Sequence, residues 1–292
     1  MQKIFLDGKF VDEKDAVISC FDHGVLYGDG IFEGIRAYNN RVFELDAHIE
    51  RFYAAAKSIM LNLPYTKEEM KQIVVDSCKV NGVTNGYIRL VATRGKGDLG
   101  LSPLKCPKPT VYCIAGEVKL YPEELYQKGM PIITASRRRN NASNLDPQIK
   151  SLNYLNNVLA LTEALNAGVT EAILLTAEGW VAECTGDNIF VVKNGEIWTP
   201  PTYIGTLDGI TRRTVIRLAK ELGYVVHETP FTMFNVYSAD ECFLTGTAAE
   251  AIAITKVDDR VIGSGVCGEV TAKLRKAFQE YAATEESGVE IK

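Results

Sequence analysis

A chain of 292 residues with 46% apolar residues and a formal charge of −5 is longer than one hydrophobic core usually grows, so two domains or one large α/β domain are expected. Its acids and bases are interspersed, which excludes a basic surface for nucleic acid; its apolar runs fall short of the ~20 residues that span a bilayer, and the start Met1-Gln2-Lys3-Ile4-Phe5-Leu6-Asp7-Gly8 lacks a secretory core. Seven cysteines without a C-x-x-C pair and only three separated histidines argue against a disulfide framework and a metal centre, and for a reducing, cytoplasmic setting.

The first 45 residues read as two hairpins. Strands at Ile4 to Leu6 and Phe10-Val11 flank an Asp7-Gly8 turn, and strands at Gly34 to Tyr38 and Val42 to Leu45 flank Asn39-Asn40. From Asp46, read as an N-cap, apolar residues at Ile49, Phe52, Tyr53, Ala56 and Met60 follow helical spacing. Thr66 and Glu69 make a capping box for a second helix, with Met70, Ile73 and Val74 as its apolar positions. Gly86 to Arg94 then alternates, putting Tyr87, Arg89, Val91 and Thr93 on one strand face. A helical pair against a small sheet follows.

The polar segment Tyr121 to Gly129 marks a junction before a strand from Met130 to Ser136. The expected division is a small domain over 1–122, a linker over 123–135 and a larger domain over 136–292. Strands at Ala172 to Thr176, Asn188 to Val192 and Glu196 to Thr199 alternate with helices over about 153–167 and 211–222, the latter with Thr211 as N-cap and Gly223 as C′. A last helix runs from about Glu269 to Tyr281, and the tail Glu285 to Lys292 reads as frayed.

Lys150 stands among apolar and amide side chains in Gln148-Ile149-Lys150-Ser151-Leu152-Asn153-Tyr154-Leu155-Asn156-Asn157. Such an address suits an amine held partly out of water, where desolvation disfavours the ammonium form and a neutral amine can attack a carbonyl. It equally suits a lysine with a buried stem and a solvated head. Glu183, in Trp180-Val181-Ala182-Glu183-Cys184-Thr185-Gly186-Asp187-Asn188-Ile189-Phe190, has an ordinary reading as a strand-end carboxylate. Gly209-Ile210-Thr211 has one as a helix start, and Thr245-Gly246-Thr247-Ala248-Ala249-Glu250 as a small-residue turn. Arg51 falls off the apolar stripe of its helix, which by periodicity makes it a surface charge. Arg137, Arg138 and Arg139 read as solvated charge or as a carboxylate-steering group.

Taken together and in order, these motifs, with Phe21-Asp22-His23-Gly24-Val25-Leu26-Tyr27-Gly28-Asp29-Gly30-Ile31-Phe32-Glu33-Gly34-Ile35-Arg36 before them, resemble the class IV pyridoxal-phosphate aminotransferases, and within them the branched-chain amino acid aminotransferases. The resemblance reaches from that segment to the last helix. It implies the fold-type-IV α/β architecture, a small α/β domain and a larger pseudo-barrel domain holding pyridoxal 5′-phosphate between them, assembled as a homodimer or a higher homo-oligomer such as a hexamer. It implies ping-pong transamination between leucine, isoleucine or valine and 2-oxoglutarate, giving branched-chain 2-oxo acids and glutamate.

By that resemblance Lys150 is the Schiff-base lysine, Tyr154 bonds the cofactor's phenolic oxygen, and Glu183 faces its ring nitrogen. Arg51, Gly209, Ile210, Thr211 and Thr247 hold the phosphate. Phe32, Gly34, Arg36, Tyr87 and Arg89 match the substrate pocket, with Tyr27 entering from a neighbouring subunit and the backbone of Thr247 and Ala248 holding the α-carboxylate. The shared strand face of Tyr87 and Arg89 supports part of this independently. Cys184 and Asp208 depart from the family's usual residues without removing a group the chemistry needs.

Three rivals remain. D-amino acid aminotransferases resemble the same machinery but carry an Arg-x-His carboxylate clamp, whereas here Thr93-Arg94-Gly95-Lys96-Gly97-Asp98-Leu99-Gly100 has no histidine. Aminodeoxychorismate lyase, a carbon–carbon lyase, uses the same lysine, but Glu33-Gly34-Ile35-Arg36 and Gly97-Asp98-Leu99-Gly100 favour transamination. A non-enzymatic binding module would be colourless and form no adduct with pyridoxal phosphate.

Overall fold

The computed structural model describes residues 1–117 and 122–291, and the chain separates into two compact units. The first gathers the described residues of 1–119, 149–153 and 282–292; the second, those of 120–148 and 154–281. Tyr121, at the head of the expected junction, and Lys292, in the expected frayed tail, lie outside the described residues. Residues 123–135, read as linker, carry a helix and most of a strand.

In the first unit β1 (Lys3–Leu6) and β2 (Lys9–Asp12) form the expected hairpin, with Asp7 and Gly8 at φ of 48° and 98°. β3 (Gly30–Tyr38) and β4 (Arg41–Phe43) turn through Asn39 and Asn40, both also at positive φ, as a primed hairpin turn requires. β5 (Gly86–Thr93), β6 (Thr110–Gly116) and a C-terminal strand, Gly288–Glu290, complete an antiparallel sheet in the order C-terminal strand, β4, β3, β5, β6, β1, β2. The tail is therefore docked, not frayed: Val289 pairs with Val42, and Ile291 is buried and donates its N–H to Asn40 O at 2.9 Å. Isolated polar flanks such as Glu285 and Glu286 hid this, because an edge strand gains its stability from a distant partner.

Among its described residues this unit has three α-helices: α1 (His23–Tyr27), α2 (Leu45–Ser58) and α3 (Lys67–Val80). Asp22, fully buried, caps α1 through Gly24 N at 2.7 Å and accepts from Thr93 Oγ1 at 2.8 Å. Asp46 is not the N-cap of α2. The tight passage from β4 puts Glu44 in the left-handed region (φ 46°) and starts the helix at Leu45. The Thr66–Glu69 capping box of α3 is present in both directions. Antiparallel register sends Ile31, Glu33 and Ile35 to one face of β3, and there the isoleucines meet Leu45, Ile49 and Phe52 of α2 and Met70, Ile73 and Val74 of α3.

The second unit contains α4 (Glu123–Lys128), β7 (Met130–Arg138), α5 (Ala142–Leu145), α6 (Leu155–Asn166), β8 (Ala172–Leu175), β9 (Val181–Cys184), β10 (Asn188–Lys193) and β11 (Glu196–Thr199). It continues through α7 (Ile210–Glu221), β12 (Val226–Glu228), α8 (Met233–Tyr237), β13 (Glu241–Gly246), β14 (Glu250–Val257), β15 (Arg260–Val261) and α9 (Glu269–Ala282). Its mixed sheet runs β12, β11, β10, β13, β14, β7, β8, β9, with β15 on β14 and parallel pairing at β11–β12, β14–β7 and β7–β8. α7 starts one residue before Thr211, with Gly209 as N-cap, and ends with Gly223 at φ 86° beyond it. Glu241 caps α9, accepting from Val270 N, Thr271 N and Thr271 Oγ1 at 3.0, 2.8 and 2.7 Å, a carboxylate where the helix dipole favours one.

Among the described residues no helix is long and apolar enough to cross a membrane, and all seven cysteines are free. The rings of Phe190 and Phe243, opposite each other on β10 and β13, stack at 4.9 Å with a 5° interplanar angle and are fully buried. Phe243→Ala should destabilise the protein by about 3–5 kcal/mol, read as a lowered denaturant midpoint with unchanged slope.

Candidate active site

Lys150 lies in a short segment sewn to the start of β3. Phe32 N donates to Lys150 O and Leu152 N to Gly30 O, both at 2.9 Å, with a bridge between Ile31 and Ser151. These bonds fix the backbone, and the amine then lies 4.7 Å from the centroid of the Phe32 ring. On the same face of the sheet, register pairs Gly34 with Arg89 and Arg36 with Tyr87. Arg89 stacks at 4.5 Å over Phe32 and 5.5 Å over Tyr87. Any larger residue at Gly34 would displace Tyr87, since a Cβ there would stand 2.1 Å from Tyr87 Oη. Arg36, 5% exposed, stacks on Tyr38 at 4.5 Å, and its Nε and Nη1 have no hydrogen-bond partner among the described residues. An unpaired buried guanidinium is costly, and it suits a carboxylate ligand. Lys150, Phe32, Gly34, Arg36, Tyr87 and Arg89 are thus brought together, whereas Tyr27 sits on the exposed end of α1 and donates to Leu99 O.

The opposite face of β3 carries a buried charge cluster. Arg51 donates Nε and Nη2 to Glu33 Oε1 and Oε2 at 2.8 and 2.7 Å, and His48 Nδ1 meets Glu33 Oε2 at 2.8 Å. Burial alone pushes the Glu33 carboxyl up, but the charge and hydrogen bonds of Arg51, with His48, hold it down at about 2. Burial also keeps His48 below the usual histidine value, against the pull of Glu33 and with help from the nearby charges of Arg51 and Lys150. His48 is therefore a neutral donor, and because Glu33 can only accept, its proton sits on Nδ1. Arg51 is no solvated surface charge.

In the second unit Glu183, on β9, is the centre. It accepts from Arg139 Nε at 2.7 Å, Leu207 N at 2.9 Å and Asn188 Nδ2 at 3.1 Å. Asn188 also lies against the start of α7, where a Cβ on Gly209 would come within 2.1 Å of its Oδ1. No side chain caps that helix and no acid occupies its first turn, so the N–H groups of Ile210, Thr211 and Arg212 form a ready anion cradle. Thr247 and Ala248, half-buried, form the turn between β13 and β14, and Tyr126 Oη donates to Ala248 O at 3.4 Å. Tyr154 is the half-buried N-cap of α6.

The residues fit pyridoxal phosphate by this chain's own features: a helix N-terminus without a side-chain cap, and a buried carboxylate with acceptor capacity left over. Sequence reasoning left Arg139 between solvated charge and carboxylate steering, and missed Asn157 and Glu171. Glu171 is buried and its carboxyl is pushed up by desolvation, against donors that include Thr185. No local signal marks them, since each is identified only by a partner elsewhere in the unit. Among the described residues no group of histidines, cysteines and acids is arranged to hold a metal ion.

A family model described as amino-transferase class IV matches residues 30–257. A protein of Methanocaldococcus jannaschii with a provisional branched-chain-amino-acid aminotransferase name is 55% identical over 278 residues, 95% of this chain and 96% of that one. A D-alanine aminotransferase of Staphylococcus epidermidis is 38% identical, covering 96% of this chain and 98% of that one. The crystal structure of the T.th. branched-chain amino acid aminotransferase with pyridoxamine 5′-phosphate superposes with a TM-score of 0.96 at 37% identity, covering 100% of this chain and 99% of that one.

Because the Glu33 carboxyl is held at about 2 against an ordinary 4.5, its contribution is full above pH 4.5 and is lost as pH falls towards 2. The shift corresponds to about 3 kcal/mol. Glu33→Gln should cost about that much at pH 7, and the gap from the native protein should close towards pH 2; a constant gap across urea titrations at pH 7, 4 and 2.5 would reject the assignment.

Proposed function

The chain belongs to the class IV aminotransferase family, and from that premise we propose that it transfers amino groups between branched-chain L-amino acids and 2-oxoglutarate with pyridoxal 5′-phosphate. The observation that carries this reading is the Lys150 amine on one sheet face with Phe32, Tyr87, Arg89 and Arg36, whose Nε and Nη1 have no hydrogen-bond partner among the described residues. That face offers both apolar walls and cationic groups, as a pocket for aliphatic and carboxylate side chains must. When bound, the cofactor supplies an aldehyde for amines and a ring that draws off electron density as the substrate α-proton leaves.

In this reading Lys150 Nζ would hold the cofactor covalently and would move the proton at the substrate α-carbon. Glu183 would face the ring nitrogen, and Tyr154 the phenolic oxygen. Thr247 and the start of α7 at Gly209, Ile210 and Thr211 would hold the phosphate, with Arg51, which Glu33 holds through Nε and Nη2, assigned there by the family resemblance alone. Thr247 and Ala248 hold the substrate α-carboxylate. Phe32, Gly34, Arg36, Tyr87 and Arg89 form the side-chain pocket. Tyr27 belongs to a homodimer or larger homo-oligomer, in line with the exposed apolar residues Val25, Leu99 and Leu101 near it (62%, 68% and 77%). Free thiols throughout suit the cytoplasm.

A donor panel of both chiralities tests the function. L-leucine, L-isoleucine and L-valine should exceed D-alanine by about 10²-fold in kcat/KM; D-alanine as the faster donor would replace this reading with the D-specific one. Lys150→Ala should retain the fold by circular dichroism and lose more than about 10³-fold in turnover, and borohydride reduction of the native protein should label the Lys150 peptide alone.

A further inference from the structure

Among the described residues Glu183 is met by donors only: Arg139 Nε at Oε1, with Leu207 N and Asn188 Nδ2 at Oε2. The Asn188 amide cannot be reversed, because its Nδ2 also donates to Leu207 O at 2.9 Å and an oxygen in that place would oppose two acceptors. A proton on either carboxyl oxygen would confront a donor. The surroundings therefore take the carboxylate, and three donors on about four lone-pair sites leave one over.

Arg139 is the charged member of this set, and it is held from several sides. Its side chain is 5% exposed, its backbone N donates to Leu175 O at 2.8 Å, and its Nη1 donates to Asn157 Oδ1 at 3.4 Å. Asn157 Nδ2 donates in turn to Thr185 O at 2.7 Å, and Thr185 N to the buried Glu171 at 2.8 Å. The two neighbouring arginines differ. Arg137 is half exposed and approaches Glu163 at 3.5 Å, and Arg138 is exposed.

We propose that Arg139 is a positioning residue for the reaction: its guanidinium keeps Glu183 a carboxylate aimed at the ring nitrogen of pyridoxal phosphate, so that the proton they share stays on nitrogen. This rests on the role given to Glu183 above. A proton between a carboxylate and a pyridine nitrogen in a buried site can settle either way, and burial by itself favours the uncharged pair. A cation fixed on the carboxylate reverses this, because its attraction is lost whenever the carboxylate is neutralised. One proton moves between nitrogen and oxygen, and no other bond changes.

The test is the ring-nitrogen chemical shift of the enzyme loaded with ring-¹⁵N pyridoxal phosphate. The native protein should show the protonated position, Arg139→Gln and Glu183→Gln should both move towards the unprotonated one, and Arg139→Lys should stay near native. Turnover of Arg139→Gln should fall about ten- to a hundredfold, as for outer-shell partners elsewhere, with KM little changed. If Glu183→Gln shifts the signal and Arg139→Gln does not, the role of Arg139 is rejected and that of Glu183 stands; if neither shifts it, both are rejected. Should Arg139→Gln not fold, Arg139→Met, which keeps the length of the side chain without its charge, is read by the same ring-nitrogen signal: a move towards the unprotonated position supports the proposal and the native position overturns it.

Discussion

A carboxylate taken out of water is tolerated only where donors meet it, at a penalty otherwise of several kcal/mol, and each unit is organised around one. Glu33 ties β3 to α2 through Arg51 and His48. Glu183 ties β9 to the end of β7, to β10 and to the loop before α7 through Arg139, Asn188 and Leu207 N. In both cases the carboxylate orients something beyond itself. The fork of Arg51 is fixed in plane by two parallel bonds, and the start of α7 is fixed by an asparagine that bonds Glu183 and abuts Gly209.

Strand alternation makes the first of these compatible with a site on the other side. Along Phe32-Glu33-Gly34-Ile35-Arg36 each step of one residue changes face, so Glu33 and Ile35 go to the helices while Phe32, Gly34 and Arg36 share a face with Lys150, Tyr87 and Arg89. Register cannot slip, since a shift by one residue would bury Arg36 against Ile49 and Phe52 and expose Ile35. Gly34 has its own reason: the Tyr87 hydroxyl occupies the volume a side chain would need.

What was legible in the sequence was local. Asp7-Gly8 and Asn39-Asn40 announce turns because few other residues tolerate positive φ, and Thr66 with Glu69 announces a helix start because both halves of the box lie within one turn. Lys150 was not legible by itself, since a snorkelling lysine and one placed over an aromatic ring differ only in partners supplied by β3. Arg51 misled for the same reason: it is off the apolar stripe, yet Glu33 gives it an ionic partner. Arg139 follows two solvated arginines, and nothing in that run marks the third as buried. The docked tail depends on β4, far away in the chain.

The loop after β5 bears on chirality. An arginine there could serve as a carboxylate clamp only if its fork were turned to the substrate, but Arg94 spends Nε and Nη2 on Asp29 and Nη1 and Nη2 on the carbonyls of Met60 and Ile59. Asp22 on Thr93 and His23 on Asp98 O brace the same loop from α1. With Arg94 committed to structure, the proposed pocket must find its cations on the β3–β5 face, in Arg36 and Arg89. Arg89 lies over two aromatic rings, where a guanidinium remains attracted by the ring faces whether or not an anion arrives. Such an arginine can meet the carboxylate of an acidic substrate in one half-reaction and leave an apolar wall for an aliphatic one in the other.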